Sequence, residues 1–312
     1  MKKTIEIKGL AKHYQKQKIV LRGLDFSLEA GTVHGLVGLN GAGKTTFLNC
    51  LLGLQPFDSG DIAILGGNPD QLFSQVGKVV AVFDSPCLHL NLTVHQTLSH
   101  ARSLCVKPKR TVNELEKLLG LSQYRDYRIS QLSLGNRRRT SIAHSLVGEP
   151  ELVVLDEPFN GLDAAGVDDV IELILNLNRT ENTAFLLASH QLSYLEQACS
   201  HLSILHEGRI IASDEIKKLL QNKRSKVTIR TQNRSEALMF LKDRSEIRIT
   251  ETQNEYEDSI TVELRDWRAS DLNCFLVENG IAVDELLLNH PTVSSFFRDA
   301  TQPHPSNMET FK

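Results

Sequence analysis

The sequence predicts an α/β fold carrying a helical insertion, followed by a small α+β domain. Three observations support it. Short β-branched or apolar runs alternate with helical patterns from residue 1 to about 220, the alternation of a layered α/β domain. A glycine-rich stretch at 38–43 joins one such run to a helical pattern. Beyond about 220, the polar and basic seam 221–226 has no apolar anchor, and a second set of short elements follows it.

Taken in order, 5–7, 24–28 and 61–64 alternate polar with apolar residues and suit a mixed edge sheet. The run 33–37 precedes the glycines, and 46–52 reads as the helix after them. Another strand is expected at 78–83. The pattern over 93–119 is helical, with Leu98, Ala101, Leu104 and Cys105 along one face, so a helical insertion is placed at about 85–148. The runs 152–155, 183–188 and 202–205 are apolar on both faces, as parallel strands covered on both sides are. His34, inside a strand, reads as a packing or surface residue. From 225 to 312 the order is strand 227–230, helix 235–241, strands 246–250 and 260–264, helix 270–278 and strand 281–287. That β-α-β-β-α-β order is ferredoxin-like. A C-terminal helix at 293–297 follows Pro291.

A length of 312 residues suits one large or two unequal domains. With 41% apolar and 23% charged residues, a mostly disordered or collagen-like chain is excluded. Thirty-five Lys and Arg against 38 Asp and Glu leave a net charge of −3, so no basic excess recruits nucleic acid. The five cysteines are scattered without a C-x-x-C pair, which fits a reduced cytosolic compartment rather than a disulfide framework or structural zinc. No signal peptide is read at residues 1–6, and the longest apolar stretches fall far short of the roughly 17–25 residues that span a bilayer. Any membrane role is therefore borrowed from a partner.

Gly38-Leu39-Asn40-Gly41-Ala42-Gly43-Lys44-Thr45-Thr46 matches G-x-x-x-x-G-K-[ST] between an apolar run and a helix. Without Cβ atoms such a turn bends until successive N–H groups face an anion, and the helix start adds further donors. Lys44 can bridge the β- and γ-phosphates, and the Thr45 hydroxyl can ligate Mg²⁺. Asp156 and Glu157 stand at the C-terminal edge of a buried strand, where ligands of open α/β sheets gather. Asp156 can hold Mg²⁺ through water, and Glu157 can polarise the attacking water. His190 follows the strand 183–188 on the same side, where a neutral imidazole can donate to the γ-phosphate or fix that water.

These ordered motifs, spread over residues 4 to about 220, resemble the ATP-binding subunit of ATP-binding-cassette (ABC) transporters. Leu132-Ser133-Leu134-Gly135-Asn136 is similar to the signature motif, Asn160-Gly161-Leu162-Asp163 to the D-loop and Ser189-His190 to the H-loop. Tyr14 resembles the aromatic that stacks on adenine; on chemistry alone it is equally an ordinary strand-edge tyrosine. The resemblance implies ATP and Mg²⁺ as ligands and a P-loop ATPase core of ABC type. It implies Glu157, His190 and Lys44 as catalytic, and Thr45, Asp84 and Asp156 as metal-facing. Gly38, Asn40, Gly41, Ala42, Gly43, Lys44, Thr45 and Thr46 would surround the phosphates. Ser133, Leu134, Gly135, Asn136 and Asp163 would face a nucleotide across a head-to-tail pair.

Three departures stand out. Leu134 and Asn136 replace the middle Gly and final Gln of the common signature, Asp84 occupies the Q-loop position, and Leu39 stands where Pro is common. A carboxylate can approach Mg²⁺ but cannot donate hydrogen bonds as an amide does. With Glu157 and His190 present, hydrolysis is expected.

The signature form, the region 84–94 with Pro86, and the tail 291–301 are similar to ATPases of ABC-2-type exporters, including antibiotic and bacteriocin self-protection pumps. The implied partners are an integral membrane permease and a second ATPase chain, most simply an identical one, on the cytoplasmic face of the membrane. A different paired subunit stays open. Two rivals are a non-transport ABC ATPase acting on a macromolecular complex and a regulatory nucleotide-binding subunit with little turnover. The run Arg137-Arg138-Arg139 reads as a solvated helix face or part of a subunit contact.

Overall fold

The computed structural model describes residues 3–14, 18–85, 87–221, 224–250 and 259–301. Pro86, residues 222–223 of the polar seam and residues 302–312 lie outside the described residues. The chain divides into two compact units between Ile216 and Lys217.

In the first unit, β1 (Lys3–Tyr14), β2 (Lys18–Glu29), β3 (Val33–Val37), α1 (Lys44–Leu51) and β4 (Ser59–Ile64) come first. They are followed by β5 (Val79–Val82), α2 (Val94–Leu104), α3 (Val112–Leu118), α4 (Leu134–Ser145) and β6 (Leu152–Asp156). Then come α5 (Ala164–Glu181), β7 (Ala184–Ser189), α6 (Leu192–Ala198), β8 (His201–His206) and β9 (Arg209–Glu215). β2, β1 and β4 form an antiparallel sheet in that order. The larger sheet runs β5-β6-β7-β3-β8-β9, parallel except for its antiparallel edge strand β9. β3, β6 and β7 are buried along their whole length, which explains their nearly uninterrupted apolar sequence. The exception is His34, buried beside Ser203 at 2.8 Å; burial, with His201 nearby, pushes its pKa down to about 3 and keeps the imidazole neutral.

The core between the sheets is built from Leu36, Phe47, Leu48, Leu51, Val154 and Leu186 together with residues of the antiparallel sheet. Phe47 of α1 meets Phe26 of β2 edge-on at 5.3 Å, which anchors the helix that follows the glycine-rich loop. The helical insertion begins with two capping boxes. Thr93 and Gln96 close the N-terminus of α2, and Thr111 and Glu114 close that of α3. Leu98 and Ala101 lie on the buried face of α2, but Leu104 is 68% exposed. The helix ends there, and Cys105 takes extended backbone, so the expected apolar stripe stops a turn early.

After α7 (Ile216–Gln221), the second unit contains β10 (Lys226–Arg230), α8 (Arg234–Leu241), β11 (Ile247–Thr250) and β12 (Ser259–Leu264). α9 (Ala269–Glu278), β13 (Glu285–Asn289) and α10 (Val293–Thr301) complete it. Its antiparallel sheet has the order β11-β12-β10-β13. Val227, Ile229, Val262, Leu241, Leu272 and Leu276 fill its core. The last strand begins later than its apolar pattern predicts. Ile281 instead closes α9: its N–H donates to Leu276, that of Gly280 (φ +77°) donates to Val277, and Ile281 packs back into the core. That is a Schellman cap, whose apolar residue imitates the start of a strand.

Candidate nucleotide site

Three neighbouring strands bring the site together. β6, β7 and β3 are adjacent and parallel, so the residues after Asp156, Ser189 and Val37 emerge side by side at one sheet edge. Chemistry scattered over some 150 residues of sequence thereby meets in one cleft of about 660 Å³.

The loop after β3 supplies one wall. Gly43 is the N-cap of α1 with φ +110°, a conformation that residues with a Cβ rarely adopt, and its carbonyl accepts from Phe47 N–H at 2.8 Å. Lys44 points back into the loop and donates to the Gly38 carbonyl at 2.7 Å. Burial lowers the pKa of Lys44, while Glu157 and Asp156 draw it back up. Asn40, Gly41, Gly43, Lys44, Thr45 and Thr46 line the cleft. Gly38 and Ala42 lie behind that lining and shape the loop; the Ala42 N–H donates to Leu39 at 3.1 Å. Tyr14 is at the rim with Val20, its hydroxyl donating to Gln55 at 2.6 Å.

The opposite wall is acidic. Asp156 is buried at the end of β6, and its pKa rises to about 6 because of burial first, then Glu157 and Asp84; Lys44 and Arg138 act against the rise. Glu157 has left-handed backbone, φ +48°, unusual for a residue with a long side chain. The turn is pinned by its N–H donating to Ala188 at 2.8 Å. Its carboxylate lies 2.8 Å from His190 Nδ1, accepts from the Ser189 hydroxyl at 2.8 Å and reaches to 3.9 Å from Lys44 Nζ. Asp84 and Asn160 complete the lining. Asp84 Oδ1 accepts from Asn160 Nδ2 at 3.1 Å and from Arg138 at 2.8 Å.

The signature residues are elsewhere. Ser133, Leu134, Gly135 and Asn136 do not line the cleft of their own chain. Ser133 is the N-cap of α4, accepting from the Asn136 N–H at 3.2 Å. Leu134 is half-exposed, and Gly135 lies against the Gly161 carbonyl. Asp163 caps α5 through the Gly166 N–H at 3.0 Å and is also outside the cleft. The reading of Arg137-Arg138-Arg139 as a solvated face is corrected at its centre: Arg138 is 1% exposed, because its side chain runs inward beneath Asp84 and Asp156. No charge pattern in the sequence separates it from its neighbours. Only its position on the inward face of the predicted signature helix could have.

Relatives decide what builds such an edge. Over 302 residues the chain is 30% identical to the bacitracin transport ATP-binding protein BcrA of Bacillus licheniformis, covering 95% of this chain and 97% of that protein. The family described as ABC transporter is matched over residues 21–160. This chain belongs to the ABC transporter ATP-binding family. As an ABC ATPase subunit it binds and hydrolyses ATP, and its P-loop core with helical insertion and smaller α+β unit is the fold class the sequence predicts. The lantibiotic transport ATP-binding protein SrtF of Streptococcus pyogenes is 31% identical over 211 residues, 68% of this chain and 90% of that one. A solved ATP-binding subunit of an ABC transporter superposes with a TM-score of 0.64 at 28% identity, over 69% of this ABC ATPase and 91% of the other chain. A dimeric bacterial ABC transporter cassette, 19% identical, shares the fold with a TM-score of 0.61 over 68% of this chain and 98% of its own. Among the described residues, no helix of this ABC ATPase is long and apolar enough to cross a membrane.

Proposed function

We propose that this ABC ATPase powers a separately encoded membrane exporter of antimicrobial peptides, working as half of a head-to-tail ATPase pair on the cytoplasmic face. One observation carries the pairing: the cleft of a single chain contains Lys44, Asp156, Glu157 and His190 but not Ser133–Asn136, so the signature has no nucleotide of its own to cover. As a helix start, the α4 N-terminus is suited to a phosphate of the partner. The transport names of BcrA and SrtF support the cargo class.

In this reading Lys44 exchanges the Gly38 carbonyl for the β- and γ-phosphates, and the N–H groups from Asn40 to Thr46 hold the phosphate oxygens. Tyr14 stacks on adenine. Glu157 orients the attacking water, with Ser189 and His190 holding its carboxylate, and His190 also faces the γ-phosphate. Leu134, Gly135, Asn136 and Asp163 line the partner's half of the site beside Ser133.

Mg²⁺ fits this cleft. Thr45, Asp84 and Asp156 line it together, so the Thr45 hydroxyl would ligate the ion, Asp156 would hold it through water, and the Asp84 carboxylate would approach it, with nucleotide oxygens taking the remaining positions. Such an ion supplies charge neutralisation on the phosphates. Residues 225–312 are proposed as a separable accessory domain.

The test is co-purification with a polytopic permease followed by phosphate release from the assembled complex. Peptide-stimulated release supports the proposal. Association with ribosomes instead of a permease, or ATP binding without release, overturns it.

A further inference from the structure

Arg138 is buried beneath the cleft at a desolvation cost that packing does not repay. It is the largest fully buried side chain of the described residues, and a buried cation is retained only where partners compensate its desolvation. Its guanidinium donates to the Phe83 carbonyl at 2.5 Å, to the Asp84 carbonyl, to Asp84 Oδ1 at 2.8 Å and to the Asp156 carbonyl at 3.5 Å. Nε has no partner among the described residues. An apolar side chain would fill the same volume without an orphaned donor, so packing alone does not explain an arginine here.

What the fork does is join elements. Arg138 belongs to α4, five residues beyond its N-cap Ser133; Phe83 and Asp84 follow β5, and Asp156 ends β6. From Asp84 the contacts continue without a gap. Asn160 Nδ2 donates to Asp84 Oδ1 at 3.1 Å, Gln191 Nε2 donates to Asn160 Oδ1 at 3.1 Å, the Gln191 N–H donates to Ser189 Oγ at 3.1 Å, and Ser189 Oγ donates to Glu157 Oε2 at 2.8 Å. A polar chain therefore leads from the signature helix to the Glu157 carboxylate. Apart from the step through the Gln191 side chain to its own backbone, each link is a directional hydrogen bond, and such linked contacts act as a unit rather than independently.

We propose that Arg138 is a positioning residue for hydrolysis, which through Asp84, Asn160, Gln191 and Ser189 holds Glu157 in its productive orientation and ties that orientation to the placement of the signature helix. The inference rests on the reading of Glu157 as the water-orienting group. It makes Asp84 and Arg138 a matched pair: the carboxylate at this position is the counter-charge that an amide would not supply to a buried guanidinium.

The experiment measures kcat and the KM for ATP of the full chain carrying Arg138→Gln, Asp84→Gln, both together, Asn160→Ala, and Asp84→Gln with Asn160→Ala. Glu157→Gln is measured alongside. Each single change in the chain, measured at saturating Mg²⁺, is expected to lower kcat about tenfold with KM within about twofold, as loss of orientation rather than of binding does. The Arg138→Gln/Asp84→Gln double variant, with an amide pair that can hydrogen-bond again, should be no slower than the worse single. Multiplicative losses of about a hundredfold, or a raised KM with normal kcat, overturn the proposal. Should Arg138→Gln not fold, the Asp84→Gln and Asn160→Ala pair, at an exposed and a half-buried position, still decides whether the chain from Asp84 to Glu157 acts as a unit, and Arg138→Lys, which keeps the charge, then tests the arginine. Glu157→Gln separates the two levels: retained turnover there removes the underlying site reading, whereas lost turnover with independent Asp84 and Arg138 effects removes only the positioning role.

Discussion

The Lys44 ammonium stands 3.9 Å from Glu157 Oε1, both side chains nearly buried, so the ammonium and the carboxylate neutralise each other across the cleft. In the proposed mechanism an arriving triphosphate would give Lys44 a stronger anionic partner and leave Glu157 to its two other contacts, Ser189 and His190. On that proposal binding and chemistry share one electrostatic contact, each depending on a different end of it.

Separable phenotypes should result. Glu157→Gln keeps the shape and the Ser189 contact but loses the base, so turnover should fall about 10²–10⁴-fold with ATP affinity largely kept. Lys44→Ala should weaken ATP binding itself, since it removes the only cation lining the cleft among the described residues. Equilibrium ATP binding and single-turnover hydrolysis, measured on both variants, check the separation.

Asp156 makes the nucleotide-free fold pH-sensitive. Its pKa lies near 6 in the folded chain against an ordinary 3.8, so between those values the folded state holds its proton more tightly than the unfolded state. The carboxylate therefore costs stability as pH rises through that window, and the full cost is present above it. Asp156→Asn should raise the melting temperature of the ATP-free protein at pH 7.5, with the gain shrinking toward pH 4. Thermal melts of both proteins across pH 4–8 test the sign, and a gain that grows on acidification would contradict it.

The parallel core was legible because a strand buried on both faces must be apolar throughout, as in Leu152-Val153-Val154-Leu155. Lys44, Asp156 and His190 could be placed together for a related reason: each follows such a strand, and parallel strands end at one edge. β9 was not foreseen, since its alternating exposure carries little apolar signal and it adds to the sheet only as an antiparallel edge. Arg138 was misread because three successive arginines carry no mark of which one a helix turns inward. Ile281 was misread because a Schellman cap and a strand both begin with an apolar residue after glycine.

Gly161 and Leu134 bring the D-loop and the signature into contact within one chain. Gly161 has φ +76°, and a Cβ there would lie 2.6 Å from Leu134 Cδ2 and 2.7 Å from its Cγ. Gly161→Ala should therefore cost roughly 1–2 kcal/mol of backbone strain, lowering the melting temperature by a few degrees, and should also displace Leu134 and slow turnover. Adding Leu134→Ala relieves the collision but not the strain. Turnover should then recover more than the melting temperature does, and parallel recovery of both would show that the side-chain contact has no role of its own.

Ser133 has two candidate roles, and its cap geometry lets them be separated. Its hydroxyl accepts from the Asn136 N–H at 3.2 Å, so Ser133→Ala removes a cap of about 1 kcal/mol and confounds folding with ligand contact. Ser133→Asp keeps a good cap but sets a carboxylate where the partner's γ-phosphate is proposed to lie. The variant should melt near the parent temperature and still fail to dimerise with ATP. In a mixed dimer of one Lys44→Ala chain and one Ser133→Asp chain, head-to-tail pairing gathers both lesions in one composite site and leaves the other intact. With Glu157→Gln in both chains to prevent turnover, that dimer should trap about one ATP, while a site completed within a single chain would trap none. ATP occupancy of the purified mixed dimer therefore reads the arrangement directly, independent of whether the two sites are coupled in hydrolysis.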